Sequence, residues 1–197
     1  MRFPRFNLAL PEWIGSLVSD PFRTFETVQE RMEFVIELSR LNVKNGTGGP
    51  FGAAVFDSRS NRLLAPGVNL VVPARCSVAH AEIVAIVIAQ QVVRQYDLGG
   101  ENAPSCELVT STEPCAMCFG AIPWSGIRRI ICGARKEDAQ GIGFDEGPMP
   151  HDWVQQLEAR GVAVLQDVSR QEAAAVLWQY RDAGGPIYNG RRGSIPK

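Results

Sequence analysis

Two histidines are all that this chain of 197 residues contains, so any site that needs an imidazole has almost no choice of ligand. No stretch approaches the roughly 18 uninterrupted apolar residues of a spanning helix. The first twenty residues hold only a short apolar run, broken at Pro11, Glu12 and Trp13, which reads as neither signal segment nor anchor. An excess of one charge is also missing: 20 Lys+Arg stand against 21 Asp+Glu, a formal net charge of −1. A protein held on polynucleotide by phosphate contacts carries a broad positive surplus, so a small, weakly charged or neutral partner is expected, and neither nucleic acid nor membrane. Five cysteines are an odd number in a chain long enough to build a core without staples, which favours free thiols or a metal site in a reducing compartment over a disulfide framework. The expected location is the cytoplasm.

What is present suits a globular fold: 45% of residues are hydrophobic and 21% charged, which excludes disorder and collagen-like structure. No repeat is visible, and the Gly/Pro clusters at 46–50, 99–100 and 184–186 read as loops within one domain. The expected organisation is an N-terminal extension over 1–22, a main domain over 23–183 and a tail over 184–197. Over 24–43, Val28, Met32, Val35, Ile36, Leu38 and Leu41 recur at helical spacing until Gly46, predicting an amphipathic helix. Apolar runs at 52–57 and 63–68, joined by Ser58-Arg59-Ser60-Asn61, predict an antiparallel hairpin. The span 79–96 is apolar on nearly every side and free of Gly and Pro, hence a buried helix. Strand, helix and strand are then expected at 107–111, 115–123 and 129–133, and helix, strand and helix at 152–160, 162–166 and 170–182. A hairpin followed by alternating strands and helices predicts an α/β fold, a three-layer αβα sandwich around a mixed β-sheet.

The chemistry concentrates in two segments, His80-Ala81-Glu82 and Pro114-Cys115-Ala116-Met117-Cys118, each where a helix begins. Cysteines three apart on a first helical turn can aim both sulfurs at one ion, and the positive end of the helix dipole favours their thiolates. With His80 as third ligand, a zinc ion keeps a fourth position for water, the arrangement of a catalytic site. His151 sits in a Gly/Pro-rich turn and reads as a turn residue. Alone, His80 reads as a satisfied core histidine and the Cys pair as metal, redox or coincidence. Glu82, two positions after the ligand, can reach the metal-bound water without coordinating the ion, take its proton and pass it to a substrate. Together the segments match the H-x-E and P-C-x-x-C signature of zinc nucleobase deaminases.

On these segments, and on Gly48-Gly49-Pro50-Phe51-Gly52-Ala53 and the stretch Glu113 to Ile122, the chain resembles the cytidine deaminase-like superfamily. Its nearest likeness is to bacterial guanine deaminases. Gly141-Ile142-Gly143-Phe144-Asp145-Glu146 resembles their Gly-Phe-Asp-Asp element, with Glu in place of the second Asp. The resemblance implies Zn2+ held by His80, Cys115 and Cys118, catalysis by Glu82 and Glu146, and a purine ring hydrogen-bonded by Asn69 and by the Ala81 N–H, with Asp145 as a further substrate-binding residue. It further implies a homodimer in which the tail can reach the partner's site, Tyr188 being the tail residue of interest. Phe51, Trp124 and Phe144 are candidate flat walls for a ring. The activity so implied is hydrolytic deamination of a free amino-heterocycle: guanine to xanthine and ammonia, with aminotriazines such as ammeline kept open by the longer Glu146 side chain.

Three other readings compete. A tRNA adenosine deaminase shares the zinc chemistry but needs a basic channel and salt-sensitive binding; the tight arginine pairs Arg128-Arg129 and Arg191-Arg192 read as solvated surface charge. A noncatalytic zinc-stabilised binding module would hold the ion and release no ammonia. A thioredoxin-like redox protein would use Cys115 and Cys118 but leaves His80 and Glu82 unexplained. Cys76, Cys106 and Cys132 read as small buried or half-buried thiols.

Overall fold

The computed structural model describes residues 7–20, 22–101 and 103–190. Residues 1–6 of the expected extension, and Arg191-Arg192 with the rest of the tail beyond 190, lie outside the described residues. The elements run α1 (Trp13–Leu17), α2 (Val28–Lys44), β1 (Gly52–Asp57), β2 (Arg62–Val68), α3 (Ala81–Val93), β3 (Cys106–Thr112), α4 (Ala116–Ser125), β4 (Arg129–Ala134), α5 (Lys136–Gly141), α6 (Trp153–Glu158), β5 (Ala163–Leu165) and α7 (Arg170–Asp182).

Five strands form one sheet in the order β2-β1-β3-β4-β5. β1 pairs antiparallel with β2 and β3, while β3–β4 and β4–β5 are parallel, so the sheet is mixed. Successive strand side chains point to opposite faces, and the core divides accordingly. Ala54, Phe56, Val109 and Ile131 pack with α2 and α7, while Ala53, Val55, Leu108 and Ile130 pack with α3, α4 and α6. Helices on both faces of a mixed sheet make the three-layer sandwich that the order of elements predicts.

Boundaries differ where local chemistry outweighs hydrophobic pattern. α2 starts at Val28 rather than 24 because Thr27 and Glu30 form a reciprocal capping box: the Thr27 hydroxyl accepts from Glu30 N–H and the Glu30 carboxylate from Thr27 N–H, each at 3.1 Å. α3 covers Ala81–Val93 rather than 79–96; it ends where Arg94 turns left-handed, φ 55°. α1 and α5 have no counterpart in the hydrophobic pattern, both being too short to show a period. Ile14 of α1 is buried among the α2-side core residues, and Trp13 Nε1 donates to Thr47 Oγ1 at 3.1 Å. Inside the sheet, the buried Glu107 carboxylate pairs with the buried Arg31 and with Arg129.

Candidate active site

Two helix N-termini, those of α3 and α4, meet at the end of the sheet where β2 and β3 finish. His80 is the N-cap of α3 and Cys115 the N-cap of α4, both in extended backbone, so their side chains leave the helices at the first turn. Gly67 of β2 fixes how closely α3 lies on the sheet: a Cβ there would stand 2.3 Å from the Ala81 carbonyl oxygen, so any larger residue would displace the helix that carries His80. His80 Nδ1 and Cys115 Sγ are 3.5 Å apart, and with Cys118 they place one nitrogen and two sulfurs all within 4.8 Å of one another. The five cysteines are unbridged.

The cluster is electrostatically coupled. The Cys118 hydrogen bond and the His80 partnership hold the Cys115 thiol down to about 4 against the opposing effect of burial. The same Cys115 hydrogen bond, with burial, pushes Cys118 well up. Burial opposes charging of His80, but the hydrogen bond to Cys115 and the surrounding negative groups outweigh it and raise its pKa. Glu82 is 6% exposed, and burial, reinforced by Cys115, raises its carboxyl to about 7. For Glu146, burial followed by Cys115 and Glu82 does the same, to about 8. A nitrogen and two sulfurs converging at this spacing are the donor set that zinc takes up, and they fit a metal ion.

These groups open on a cavity of about 200 Å³ lined by His80, Glu82, Cys115, Glu146, Asn69 and Phe51, among others. The Asn69 side-chain carbonyl accepts from Val71 N–H at 3.2 Å, which sets the rotation of the amide and leaves its amino group for a ligand. Behind it, Asn42 Nδ2 donates to the main-chain carbonyls of Asn69 and Gly49, both at 2.9 Å. Phe51 and Phe144 meet edge to face at 5.0 Å, and Phe144 meets Tyr188 in the same way at 5.0 Å. Glu146 is held against α4 by its carbonyl, which accepts from Ala116 N–H at 3.0 Å. Asp145 lies at the exposed rim, where its N–H donates to Asn189 Oδ1 at 2.9 Å.

Three residues sit elsewhere. Trp124, a candidate ring wall by sequence, is 87% exposed and lines a surface recess with Tyr96 and Arg128 instead. It follows Cys118 by six positions, about 240° around the helix, so α4 cannot point both inward. Ala81 is fully buried beside Gly67 rather than along the cavity wall; its N–H is one of the first-turn donors without an intrahelical acceptor. His151 is exposed.

The cavity also includes Ser77, Thr112, Asn189 and Gly190, which the motifs did not single out, and Glu113, which opens the stretch Glu113 to Ile122 but has no role in the signature. Thr112 and Glu113 directly precede Pro114-Cys115, so their place in sequence was the available signal. Glu113 accepts from Lys136 N–H at 3.2 Å and from the Gln166 side-chain amide, joining the Cys115 segment to the start of α5 and thus to the loop bearing Glu146. Tyr188 lines the cavity of its own chain, with the tail pinned by Tyr180 OH donating to Pro186 O at 2.7 Å and Asn189 Nδ2 donating to Gly143 O at 2.8 Å.

The chain is similar to proteins of known structure over nearly its whole length. NE0047, solved in complex with 2,6-diaminopurine, is 47% identical with a TM-score of 0.88, the match covering 95% of this chain and 98% of that one. Guanine deaminase from Nitrosomonas europaea is 46% identical, TM-score 0.86, covering 90% of this chain and 97% of that one. Guanine deaminase of Bacillus subtilis strain 168 is 38% identical over 111 residues, 56% of this chain and 67% of its own length. The model of the cytidine and deoxycytidylate deaminase zinc-binding region matches residues 25–134, a span that takes in His80, Glu82, Cys115 and Cys118. By that match the chain belongs to the cytidine and deoxycytidylate deaminase family.

Proposed function

We propose that this protein is a zinc-dependent hydrolase that deaminates free guanine to xanthine and ammonia. The observation that carries the reading is the His80, Cys115 and Cys118 cluster with the buried Glu82 beside it, at one cavity of about 200 Å³. That volume is below the roughly 300–1,000 Å³ of sites for drug-sized ligands and suits a single flat heterocycle. The close relatives named above, guanine deaminases and a diaminopurine complex, support a purine base.

His80, Cys115 and Cys118 would hold the zinc, whose chemistry when bound is Lewis acidity that makes a water molecule nucleophilic at neutral pH. Hydrolysis adds the water oxygen to the amino-bearing ring carbon and breaks its bond to the exocyclic nitrogen. Two protons move, both from the water: one to the adjacent ring nitrogen, and the other, released from the added hydroxyl as it becomes the carbonyl, to the departing amine. Glu82, buried beside the cluster and lining the same cavity, is placed to accept a proton and return it. Glu146 supplies a second carboxyl at the same cavity and would serve the amine. Asn69 presents its amide to the ring edge, and Phe51 and Phe144 hold the ring plane and keep bulk water away.

Homodimerisation is proposed from the family resemblance, and the exposed apolar side chains of Val92 and Trp124 are compatible with a covered face. The unbridged thiols suit a reducing compartment, and the cytoplasm is the proposed location. No helix among the described residues is long and apolar enough to cross a membrane.

Ammonia release from guanine, adenine, cytosine, cytidine, aminotriazines and tRNA, with zinc quantified in parallel, tests the reading. Xanthine and ammonia from guanine in preference to the others are expected. Turnover confined to triazines, cytosine or tRNA contradicts it.

A further inference from the structure

Two buried side-chain atoms lack a hydrogen-bond partner among the described residues, Thr112 Oγ1 and Tyr188 OH, and both residues line the cavity of the candidate active site. Buried hydroxyls are nearly always satisfied, so two exceptions at one cavity call for a common cause. The neighbours of Thr112 show what satisfaction looks like in this strand. Thr110 Oγ1 donates to Thr112 O at 2.9 Å, and Ser111 Oγ accepts from Gly52 N–H at 3.1 Å. Thr112, 3% exposed at the carboxyl end of β3, has no such use for its oxygen. Valine has the same shape, prefers strands equally and carries no stranded hydroxyl. Packing therefore does not account for a threonine here.

We propose that Thr112 is a specificity-determining residue whose hydroxyl hydrogen-bonds the ring edge of the bound purine. The inference rests on the guanine deaminase reading above and adds a contact that the metal and acid motifs do not contain. A hydroxyl both donates and accepts, so it can meet either a ring nitrogen or a ring N–H. Oγ1 is itself closed to solvent, so meeting a ligand requires a turn of the Thr112 side chain about its first bond, which exchanges the positions of methyl and hydroxyl. Because Oγ1 has no hydrogen-bond partner among the described residues, turning it to a ligand breaks no protein hydrogen bond, and the contact adds to binding. A contact made equally before and during reaction lowers KM and leaves kcat nearly unaltered.

The test uses the zinc-loaded full chain and the variants Thr112→Val and Thr112→Ser. Steady-state guanine deamination gives kcat and KM, calorimetry gives the Kd of 2,6-diaminopurine with each variant placed in a Glu82→Gln background, and thermal melting gives Tm. Thr112→Val is expected to raise KM and Kd about tenfold, the loss of one hydrogen bond to a site built for it, with kcat within about twofold and Tm unchanged or higher. Thr112→Ser, which keeps the hydroxyl, should stay within about twofold of the parent in both constants. Unchanged KM and Kd in Thr112→Val overturn the proposal, as does a fall in Tm in Thr112→Val that is absent from Thr112→Ser, since the hydroxyl would then be structural. A parent protein that neither binds 2,6-diaminopurine nor deaminates any purine overturns the functional reading instead, and the Thr112 assignment with it.

Discussion

His80 Nδ1 lies 3.5 Å from Cys115 Sγ although 35 positions separate them in the chain. The contact exists because each residue is the last non-helical residue before a helix, and the sheet brings those two helix starts to the same edge. The residues that follow each cap, Glu82 on α3 and Cys118 on α4, are carried to the site by the helices themselves. The proposed catalytic acid and metal ligands are thereby placed at helix starts rather than in loops.

If Glu82 moves the protons, Glu82→Gln should leave metal content intact and lower kcat by about 10²- to 10⁴-fold, the usual worth of general acid–base catalysis. Parallel zinc analysis and steady-state kinetics check this. Undiminished turnover removes Glu82 from the mechanism.

Asn69 is held from both sides, by Val71 N–H on its side chain and by Asn42 on its carbonyl. Asn69→Ala should retain zinc and fold but raise KM for guanine and narrow the preference for guanine over adenine, because a polar edge of the base then meets no partner. An unaltered ratio of kcat/KM for the two bases contradicts the assignment.

Glu107 is 1% exposed and faces two arginines, of which Arg31 is buried. Replacing one member of such a pair leaves a charge without compensation, at a cost of about 3–5 kcal/mol. Glu107→Gln should therefore lower unfolding stability in urea by that order while leaving the cavity residues in place; a change under about 1 kcal/mol would show that the network relaxes.

The Asp138 carboxyl is held below its ordinary value of 3.8 by its hydrogen bonds with Arg170, at 2.9 and 3.1 Å, and with the Arg135 N–H. Since the folded pKa is the lower one, the unfolded chain binds more protons in the interval between the two values. The stabilisation is complete above about pH 4 and disappears as pH falls through the folded value. Tm of Asp138→Asn should lie below that of the parent at pH 7, and the gap should narrow progressively as pH falls below the ordinary carboxyl value of 3.8. A gap independent of pH would mean that shape or packing, not charge, stabilises this corner.

The metal cluster was legible because each half is contiguous: three residues around His80 and five around Cys115. The strands were legible as short apolar runs bounded by polar turns, as in Ala53 to Phe56, where no alternation shows because the side chains divide between two buried core layers. α5 was not, since six mostly polar residues carry no period and its start is set by Asp138 capping the Arg135 N–H at 2.8 Å. Trp124 is a candidate ring wall by residue type alone, whereas the phase of α4 turns it away from the Cys118 side and out to solvent. Thr112 and Glu113 gave no residue-type signal; only the partners seen in the fold, or their lack, set them apart.

The central claim is a mononuclear centre with three protein ligands, and X-ray absorption spectroscopy of the purified protein at the zinc edge tests it most directly. The account predicts one zinc per chain with two sulfurs at about 2.3 Å and one imidazole nitrogen at about 2.0 Å, a remaining light-atom ligand from solvent, and loss of one sulfur shell atom in Cys118→Ser. A zinc-free protein, or a centre closed by four protein ligands, contradicts it.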